Sequence, residues 1–200
     1  MSRHVVSGIF LAAVMVLSAP LAAASVPDPP HSSVSWAGPF NGACTFPVIC
    51  PKGDVVATIN VTVKDQFGAP MAGIAANEVE ATGSCLLGGG SPCAQVISVI
   101  ANGPTNASGF TTITISKAGG CCTDLQVRAR SITLNTLSYR SYDYTADLKC
   151  DLSDLGFLAD TFNKSSGNTG YNACFDFNCD NKVDLADLGF FADHFNHVCT

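Results

Sequence analysis

The sequence has little positive charge. Only 10 of its 200 residues are Lys or Arg, against 16 Asp or Glu, and the formal net charge is −6. The few bases are scattered along the chain and form no basic patch. Because binding to the nucleic-acid backbone depends on clustered Lys and Arg, we expect no nucleic-acid partner.

Histidine is also scarce, and no His lies between residues 32 and 193. The middle of the chain therefore lacks the base that most nucleophilic sites use. Glu78 and Glu80 would share one strand face, but a solvated strand edge explains them better than a pair of catalytic carboxylates. Trp36, the single Trp, and Phe40 offer one aromatic pair, which would stack on a sugar ring or fill the core. We expect no enzyme.

Long apolar runs are missing after the first residues. Arg3 and His4 precede an apolar run from Val5 to Leu17, and small residues follow and end at Ala24. This run is too short to span a bilayer, and the pattern is typical of a secretory signal. We therefore expect a signal peptide at residues 1–24 and a mature chain that is secreted or lies at the cell surface, without a membrane span.

Cysteine, by contrast, is abundant. All ten cysteines follow the predicted cleavage site: Cys44, Cys50, Cys85, Cys93, Cys121, Cys122, Cys150, Cys174, Cys179 and Cys199. An even number in an exported chain indicates disulfides. The alternative is a zinc site, but cysteine spacings of six, eight, one and five, with His31, His194 and His197 scattered, do not assemble one. We expect disulfides, and we expect His194 and His197 to be surface or packing residues.

Sequence alone does not fix the disulfide connectivity. We expect bonds within each module more than bonds between modules. The neighbours Cys121 and Cys122 would reach different partners, such as Cys85 and Cys93. One complete set would add Cys44–Cys50, Cys174–Cys199 and Cys150–Cys179.

Acidic residues are concentrated near the end of the chain. Residues 25–142 hold six acids and six bases, whereas residues 143–200 hold ten acids and three bases, a balance of −7. Crowded carboxylates repel one another unless a cation lies among them. The local charge therefore indicates a cation site.

Oxygen-bearing side chains recur in this segment at positions 1, 3, 5, 9 and 12 of a twelve-residue loop: Asp176, Asn178, Asp180, Asp184 and Asp187. Ca²⁺ takes about six to eight oxygen ligands, and such a loop adds a backbone carbonyl at position 7, here that of Lys182. The spacing predicts a calcium site, with Val183 at position 8 turned inward.

The same spacing occurs 33 residues earlier, at Asp143, Thr145, Asp147, Lys149, Asp151 and Asp154. The match continues past the loop, because Asp-Leu-Ser-Asp-Leu-Gly-Phe-Leu-Ala-Asp-Thr-Phe-Asn at 151–163 aligns with Asp-Leu-Ala-Asp-Leu-Gly-Phe-Phe-Ala-Asp-His-Phe-Asn at 184–196. A repeated motif is stronger evidence for a structural unit than a single motif. The repeated unit is a loop followed by a helix.

The two loops differ at position 6, where calcium loops usually carry Gly for a sharp turn. The first loop has Leu148 and the second has Asn181. Asn tolerates the left-handed backbone, whereas Leu costs about 1 kcal/mol or more there. We expect two Ca²⁺ sites, the second being the stronger.

An EF-hand has a helix on both sides of its loop, but residues 131–139 are β-branched and rich in Ser, Thr and Asn, which favours a strand. Two loop–helix units in tandem, with Asp at position 12, resemble the dockerin domain, which binds cohesin domains in cellulosomes and related bacterial assemblies. The resemblance covers residues 143 to about 198. It implies a cohesin-like or other protein partner and contacts at positions 10 and 11, which here are Leu152, Ser153, Leu185 and Ala186 in place of a Ser-Thr type pair.

Residues from about 33 to 140 have an all-β pattern. Apolar residues alternate from Val55 to Val63, as in a strand with one buried face. Further strands are predicted at 94–101, 110–116 and 125–132, separated by turns that contain Gly. Short strands at such intervals predict a sandwich.

Two segments of this region, Val-Thr-Val-Lys-Asp-Gln-Phe-Gly-Ala-Pro-Met-Ala-Gly at 61–73 and Thr-Asn-Ala-Ser-Gly-Phe-Thr-Thr-Ile-Thr-Ile at 105–115, resemble bacterial immunoglobulin-like domains of the invasin/intimin type. The resemblance covers about half of residues 50–135 and implies a spacer or adhesion module without catalytic residues. The predicted order is a signal peptide (1–24), a Pro-rich linker (25–34), an all-β immunoglobulin-like sandwich (35–140) and a small α-helical dockerin-like, EF-hand-related calcium domain (141–200).

Each predicted helix has an apolar stripe at helical spacing. The stripes are Leu152, Leu155, Leu158, Ala159 and Phe162, and Leu185, Leu188, Phe191, Ala192 and Phe195. We expect them to form a shared core. Gly156 and Gly189 occupy equivalent positions in the two helices. Each lowers helix stability by about 1 kcal/mol relative to Ala, which indicates that another group packs closely there.

Phe157 and Phe190 lie about 200° from the first core Leu at about 100° per residue, on the opposite face of each helix. An exposed aromatic in both units indicates a partner-binding surface. The alternative is that the sandwich or the other helix covers the two rings.

Three functions fit these features. The leading one is an exported, non-catalytic protein that assembles with a protein partner through its calcium-binding tail, with the immunoglobulin-like domain as a spacer. The alternatives are an accessory protein of a polysaccharide-degrading complex and a calcium-dependent surface adhesion component. The sequence does not rank these two.

Overall fold

The computed structural model describes residues 24–38, 40–89 and 94–199, so the predicted signal peptide at 1–24 lies almost wholly outside the described residues. The described residues form eleven strands and two α-helices. In chain order the strands are β1 (Ser33–Ala37), β2 (Val48–Ile49), β3 (Ala57–Thr62), β4 (Val79–Gly89), β5 (Ala94–Ile100), β6 (Phe110–Ile115), β7 (Lys117–Ala118), β8 (Cys121–Ala129), β9 (Ile132–Ser141), β10 (Lys164–Ser165) and β11 (Lys182–Val183). The helices are α1 (Leu152–Thr161) and α2 (Leu185–Asp193).

Two sheets contain nine of the eleven strands of the described residues. The smaller has the order β1-β3-β6, and the larger has the order β2-β9-β8-β4-β5, with β7 paired to β4. All pairs are antiparallel except β2 with β9. Ile59 and Ile113 from the smaller sheet share one buried core with Val79, Leu125 and Tyr139 from the larger. This arrangement is consistent with the predicted β-sandwich.

Local sequence pattern explains where the strands lie. Along β3 every second residue is buried, beginning with Ala57, as the alternation of apolar residues predicts. The strand predicted at 125–132 starts earlier, at Cys121, and ends at Ala129. It ends there because Arg130 and Ser131 adopt positive φ (46° and 66°) and turn the chain into β9.

Residues 25–34, predicted as a linker, lie against the end of β3. Pro27 forms a β-bridge with Asp65, and the backbone NH of Asp28 donates to the Lys64 carbonyl at 2.8 Å. Ser33 already begins β1. Proline removes only its own NH, so an edge pairing tolerates the prolines of this segment.

The tail, defined as residues 141–199, packs on the sandwich through a second core. Val48 and Cys50 of the sandwich are buried there with Tyr142, Leu158 and Phe191 of the tail. Leu158 and Phe191 are each 1% exposed, so part of each apolar stripe enters a shared core. Leu152, Leu185, Ala159 and Ala192 of the two stripes are instead exposed.

Disulfides join the tail to the sandwich, which corrects the expectation of bonds within modules. Cys44 pairs with Cys179, and Cys121 pairs with Cys174. The set Cys44–Cys50, Cys174–Cys199 and Cys150–Cys179 is therefore wrong, and Cys121 does not pair with Cys85 or Cys93. The tail folds back on the sandwich, which brings together cysteines 53 and 135 residues apart.

The other six cysteines fall into three groups of two. Cys50 and Cys150, predicted as disulfide candidates, are buried free thiols. Cys122 and Cys199 are disulfide-bonded. The predicted roles of Cys85 and Cys93 fall on side chains outside the described part of the chain.

Within the described ranges, the helices are too short or too polar to cross a membrane.

Candidate functional site

The two predicted calcium loops fold around their first carboxylate in the same way. In each loop the backbone NH groups of positions 5 and 6 donate to position 1: those of Asp147 (3.2 Å) and Leu148 (2.8 Å) to Asp143, and those of Asp180 (3.1 Å) and Asn181 (3.0 Å) to Asp176. The sequence repeat is therefore also a repeat of hydrogen bonds.

Positions 9 and 12 join each loop to its helix. Asp151 and Asp184 are the N-caps of α1 and α2, and each accepts a backbone NH two residues ahead at 2.8 Å. Asp154 and Asp187 accept the N-cap NH in return, at 2.9 Å. This reciprocal capping stabilises the start of a helix and places negative charge where the helix dipole favours it.

The left-handed backbone expected at position 6 is present in both loops. Leu148 has φ 67° and Asn181 has φ 69°. Position 4 is left-handed as well, with φ 57° at Ala146 and 58° at Cys179. Both loops therefore coil tightly enough to aim alternate side chains at one centre.

The carboxylates at positions 1 and 12 are buried. Asp143, Asp154, Asp176 and Asp187 are at most 2% exposed, and within the described ranges none forms an ion pair with a Lys, Arg or His. Burial raises the pKa of Asp143 to about 6, and the nearby carboxylates of Asp154 and Asp147 act in the same direction. Burial also raises the pKa of Asp187.

Buried carboxylates without a cation are unfavourable. Thr145 and Asp147 in the first loop, and Asn178 and Asp180 in the second, add side-chain oxygens beside these buried groups. An all-oxygen donor set on a coiled loop suits a hard cation, so the residues present fit Ca²⁺.

Both loops touch the sandwich through glycine. A Cβ on Gly119, between β7 and β8, would lie 2.7 Å from Asp143 Oδ2 and 2.6 Å from the Cα of Ala146. A Cβ on Gly42 would lie 2.4 Å from the Asn178 carbonyl oxygen, which accepts the NH of Ala43 at 2.8 Å. The sandwich therefore supports the backbone of both loops.

The predicted partner residues at positions 10 and 11 are exposed. Leu152 and Leu185 are 71% and 74% exposed, and Ser153 and Ala186 also lie on the surface. Gly156 and Gly189 lie one turn further along each helix, and a Cβ there would meet nothing within 4 Å. The close packing predicted at these glycines is therefore absent from the described chain, and each helix presents an open face.

The two phenylalanines predicted at the interface differ. Phe157 is 48% exposed, with its ring 5.1 Å from that of Tyr144, and it lines a surface cavity of about 310 Å³ with Ser153, Gly156 and Asp160. Phe190 is half-buried against the core of the tail. The repeat preserves the residue type but not its surroundings, because only one of the two helices has this neighbour.

The fold also brings together Cys50, Asp54, His194 and His197, whose ligand atoms all lie within 4.8 Å of one another. The sequence had indicated no metal-ligand cluster at these residues, and His194 and His197 had been expected only to pack or lie on the surface. The His-x-x-His spacing was a visible signal. No signal in the sequence pointed to the other two members of the cluster, Cys50 and Asp54, since they lie at least 140 residues away.

The sequence matches no family model and no curated protein. Among solved structures, the chain is similar to an N-terminal and a C-terminal interface mutant of a type II cohesin–X-dockerin complex from Acetivibrio cellulolyticus. The identities are 20% and 19%, and each match covers 60% of this chain and 82% of the other, with a TM-score of 0.29. Similarity at this TM-score establishes nothing about this chain. The resemblance of the tail to dockerin domains therefore stays a prediction.

Proposed function

We propose that this protein is an exported, non-catalytic assembly component. In this proposal the tail binds Ca²⁺ in two loops and captures a protein partner of the cohesin kind, and the immunoglobulin-like sandwich is a spacer that holds the tail. The observation that carries the proposal is the repeated open helix face, with Leu152 and Leu185 largely exposed at equivalent positions.

A single exposed Leu is ordinary on a protein surface, but here the same exposed Leu recurs in both repeats with a glycine one turn further along the helix. The Leu side chain has no polar atoms, and Gly lowers helix stability by about 1 kcal/mol relative to Ala. The pair Leu152 and Gly156 recurs as Leu185 and Gly189, with space above both glycines. A partner that packs closely on the helix would use both features.

The loops support a role for calcium in presenting this face. Leu152 and Leu185 follow directly on the N-caps Asp151 and Asp184, which are also position 9 of the loops. A cation held by the loop carboxylates would therefore fix the first turn of the helix and, with it, the exposed leucine. Removal of calcium should loosen the docking face in both repeats.

A carbohydrate platform at Trp36 has less support. Trp36 is 9% exposed, and its indole NH donates to the Ser138 carbonyl at 2.9 Å. The ring is therefore a core residue, which was the alternative to sugar stacking. Association with a polysaccharide-degrading complex would have to come through the protein partner.

Binding of the mature, oxidised chain to immobilised type I and type II cohesin domains tests the proposal. We expect binding in calcium and none in chelator. The double variant Leu152→Asp/Leu185→Asp should weaken it by about 30-fold or more, the size of a hot-spot loss of about 2 kcal/mol. Both helices are changed because the two faces are equivalent.

The matched control is Phe67→Asp, since Phe67 is 71% exposed on a sandwich turn far along the chain. It should bind as the parent does. The proposal would be overturned if no cohesin bound the parent chain, or if the double variant bound as tightly as the parent. Calcium-dependent binding to cells or matrix without cohesin binding would support the adhesion alternative.

A further inference from the structure

The cluster of Cys50, Asp54, His194 and His197 joins two distant parts of the fold. Cys50 and Asp54 lie in the turn between β2 and β3, and His194 and His197 lie directly after α2. Cys50 is fully buried, and the two imidazoles are 17% and 20% exposed. The cluster therefore sits in the contact between the sandwich and the tail, apart from both calcium loops.

The distances within the cluster are short and similar. Nδ1 of His197 lies 3.1 Å from Asp54 Oδ2, 3.3 Å from Cys50 Sγ and 3.4 Å from His194 Nδ1. Nδ1 of His194 lies 3.6 Å from the same Asp54 oxygen. One sulfur, two nitrogens and one oxygen thus lie within 4.8 Å of one another.

A tetrahedral zinc ion would produce these spacings. With Zn–N and Zn–O near 2.0–2.1 Å and Zn–S near 2.3 Å, the tetrahedron has N–N and N–O edges of about 3.3–3.4 Å and S–N edges of about 3.5 Å. Four of the six separations fall within about 0.3 Å of these values, and the two that involve Cys50 Sγ with Asp54 and with His194 are at most 4.8 Å.

Hydrogen bonds alone satisfy the cluster poorly. A neutral imidazole Nδ1 either donates one hydrogen or offers one lone pair. Nδ1 of His197 has three polar neighbours, and one of them is the Nδ1 of a second imidazole, so no single tautomer serves all three. A cation at the centre would accept a lone pair from each group at once.

The surroundings hold the ligands in place. The His194 ring stacks on Tyr142 with centroids 4.2 Å apart and an interplanar angle of 19°. The carbonyl of His197 accepts the backbone NH of Cys150 at 2.8 Å, and Gly53 NH donates to the Cys50 carbonyl. Each ligand-bearing segment is therefore positioned by a contact outside the cluster.

We propose that Cys50, Asp54, His194 and His197 form a structural zinc site that fastens the tail to the sandwich. Thiolate and imidazole are ligands that zinc prefers and calcium avoids, so this site and the loops take different ions. Four protein ligands leave no open position, which is the arrangement of a structural centre.

Metal analysis of the mature, exported chain with its disulfides intact tests the proposal. Protein stripped by chelator and saturated with Ca²⁺ should take up one Zn²⁺ per chain. Co²⁺ in its place should give the absorption of a tetrahedral site together with a thiolate-to-cobalt charge-transfer band. Cys50→Ser should lose that band.

His197→Ala and Asp54→Asn should lower zinc affinity by at least about 100-fold, since loss even of an outer-shell partner costs about 10- to 100-fold. Asp54 is 35% exposed, so its amide variant keeps the fold and separates a lost ligand from misfolding. His31→Ala is the control, because His31 is a surface histidine outside the cluster. This variant should bind zinc as the parent does.

Three results would overturn the inference. They are no zinc uptake at micromolar metal in saturating calcium, a cobalt spectrum without the thiolate band, and a Cys50–Cys150 disulfide in the exported protein.

Discussion

Asn163 and Asn196 hold equivalent places in the two repeats, and each closes the loop of the other repeat. The NH of Asn163 donates to the Val183 carbonyl, and that of Asn196 donates to the Cys150 carbonyl, both at 2.8 Å. Both residues have a left-handed backbone conformation, with φ of 59° and 60°. Cys150 and Val183 are position 8 of the two loops, so neither repeat completes its own loop.

The second calcium site should be the stronger. Asp180→Ala should weaken calcium binding to the full chain on the order of tenfold or more at the strong site, because Asp180 supplies a carboxylate at position 5. Asp147→Ala, the same change in the first loop, should affect only the weaker phase. Titration calorimetry in chelex-treated buffer measures both. Equal losses in the two variants would contradict the ranking, and no heat at millimolar Ca²⁺ would contradict calcium binding itself.

Leu148→Gly should destabilise the protein although it removes left-handed strain. The strain is worth about 1 kcal/mol, whereas Leu148 is only 8% exposed and its burial contributes about 2 kcal/mol. The lost burial is larger than the relieved strain. We therefore expect the free energy of unfolding, measured with denaturant, to fall by about 1 kcal/mol or more. Asn181→Gly, at the same position of the exposed loop, should change stability by less than about 0.5 kcal/mol. A more stable Leu148→Gly protein would mean that strain dominates.

Non-reducing peptide mapping should find Cys44 linked to Cys179 and Cys121 linked to Cys174. The first bond closes a segment of 135 residues, so the chain-entropy account gives it about 4 to 5 kcal/mol of stability. The pair Cys44→Ser/Cys179→Ser should unfold at markedly lower denaturant. Cys150→Ser, which breaks no disulfide, should have a far smaller effect. Recovery of Cys44–Cys50 would refute the connectivity.

Gly119→Ala should disturb the first loop from the sandwich side. Its new Cβ would lie under 3 Å from Ala146 and from the Asp143 carboxylate, so the loop must shift. We expect about 1 to 3 kcal/mol of destabilisation and a loss of the weaker calcium phase. Gly103→Ala is the control, since a Cβ there meets nothing within 4 Å. Equal behaviour of the two variants would show that the loop does not rest on Gly119.

Local features were predictable from the sequence. The loop spacing, the capping Asp residues and the left-handed position 6 involve residues within twelve positions of each other, and the structure has the expected backbone at Leu148 and Asn181. The alternation that defines β3 is equally local. Such features depend on hydrogen bonds between near neighbours and on the periodicity of apolar residues, and both can be inferred from a single sequence.

Contacts across the sandwich–tail boundary were not predictable. Cys44 meets Cys179, and Cys50 meets His197, only because the tail folds back on the turn after β2. No periodicity connects residues separated by 135 or more positions. The exposure of Gly156 and Gly189 was missed for a related reason, since a repeated glycine indicates that a neighbour comes close but not whether the neighbour belongs to the same chain.

The Cys44–Cys179 and Cys121–Cys174 disulfides also affect how the molecule would carry a mechanical load. A pull on the tail by a captured partner would reach Cys179 in the second loop and Cys174 just before it, and pass through sulfur to Cys44 and to the start of β8 at Cys121. The short peptide that follows β9 would then bear little of the tension. Under force, the tail and the sandwich would separate only after covalent bonds had been reduced, whereas each would still stretch along its own strands and helices.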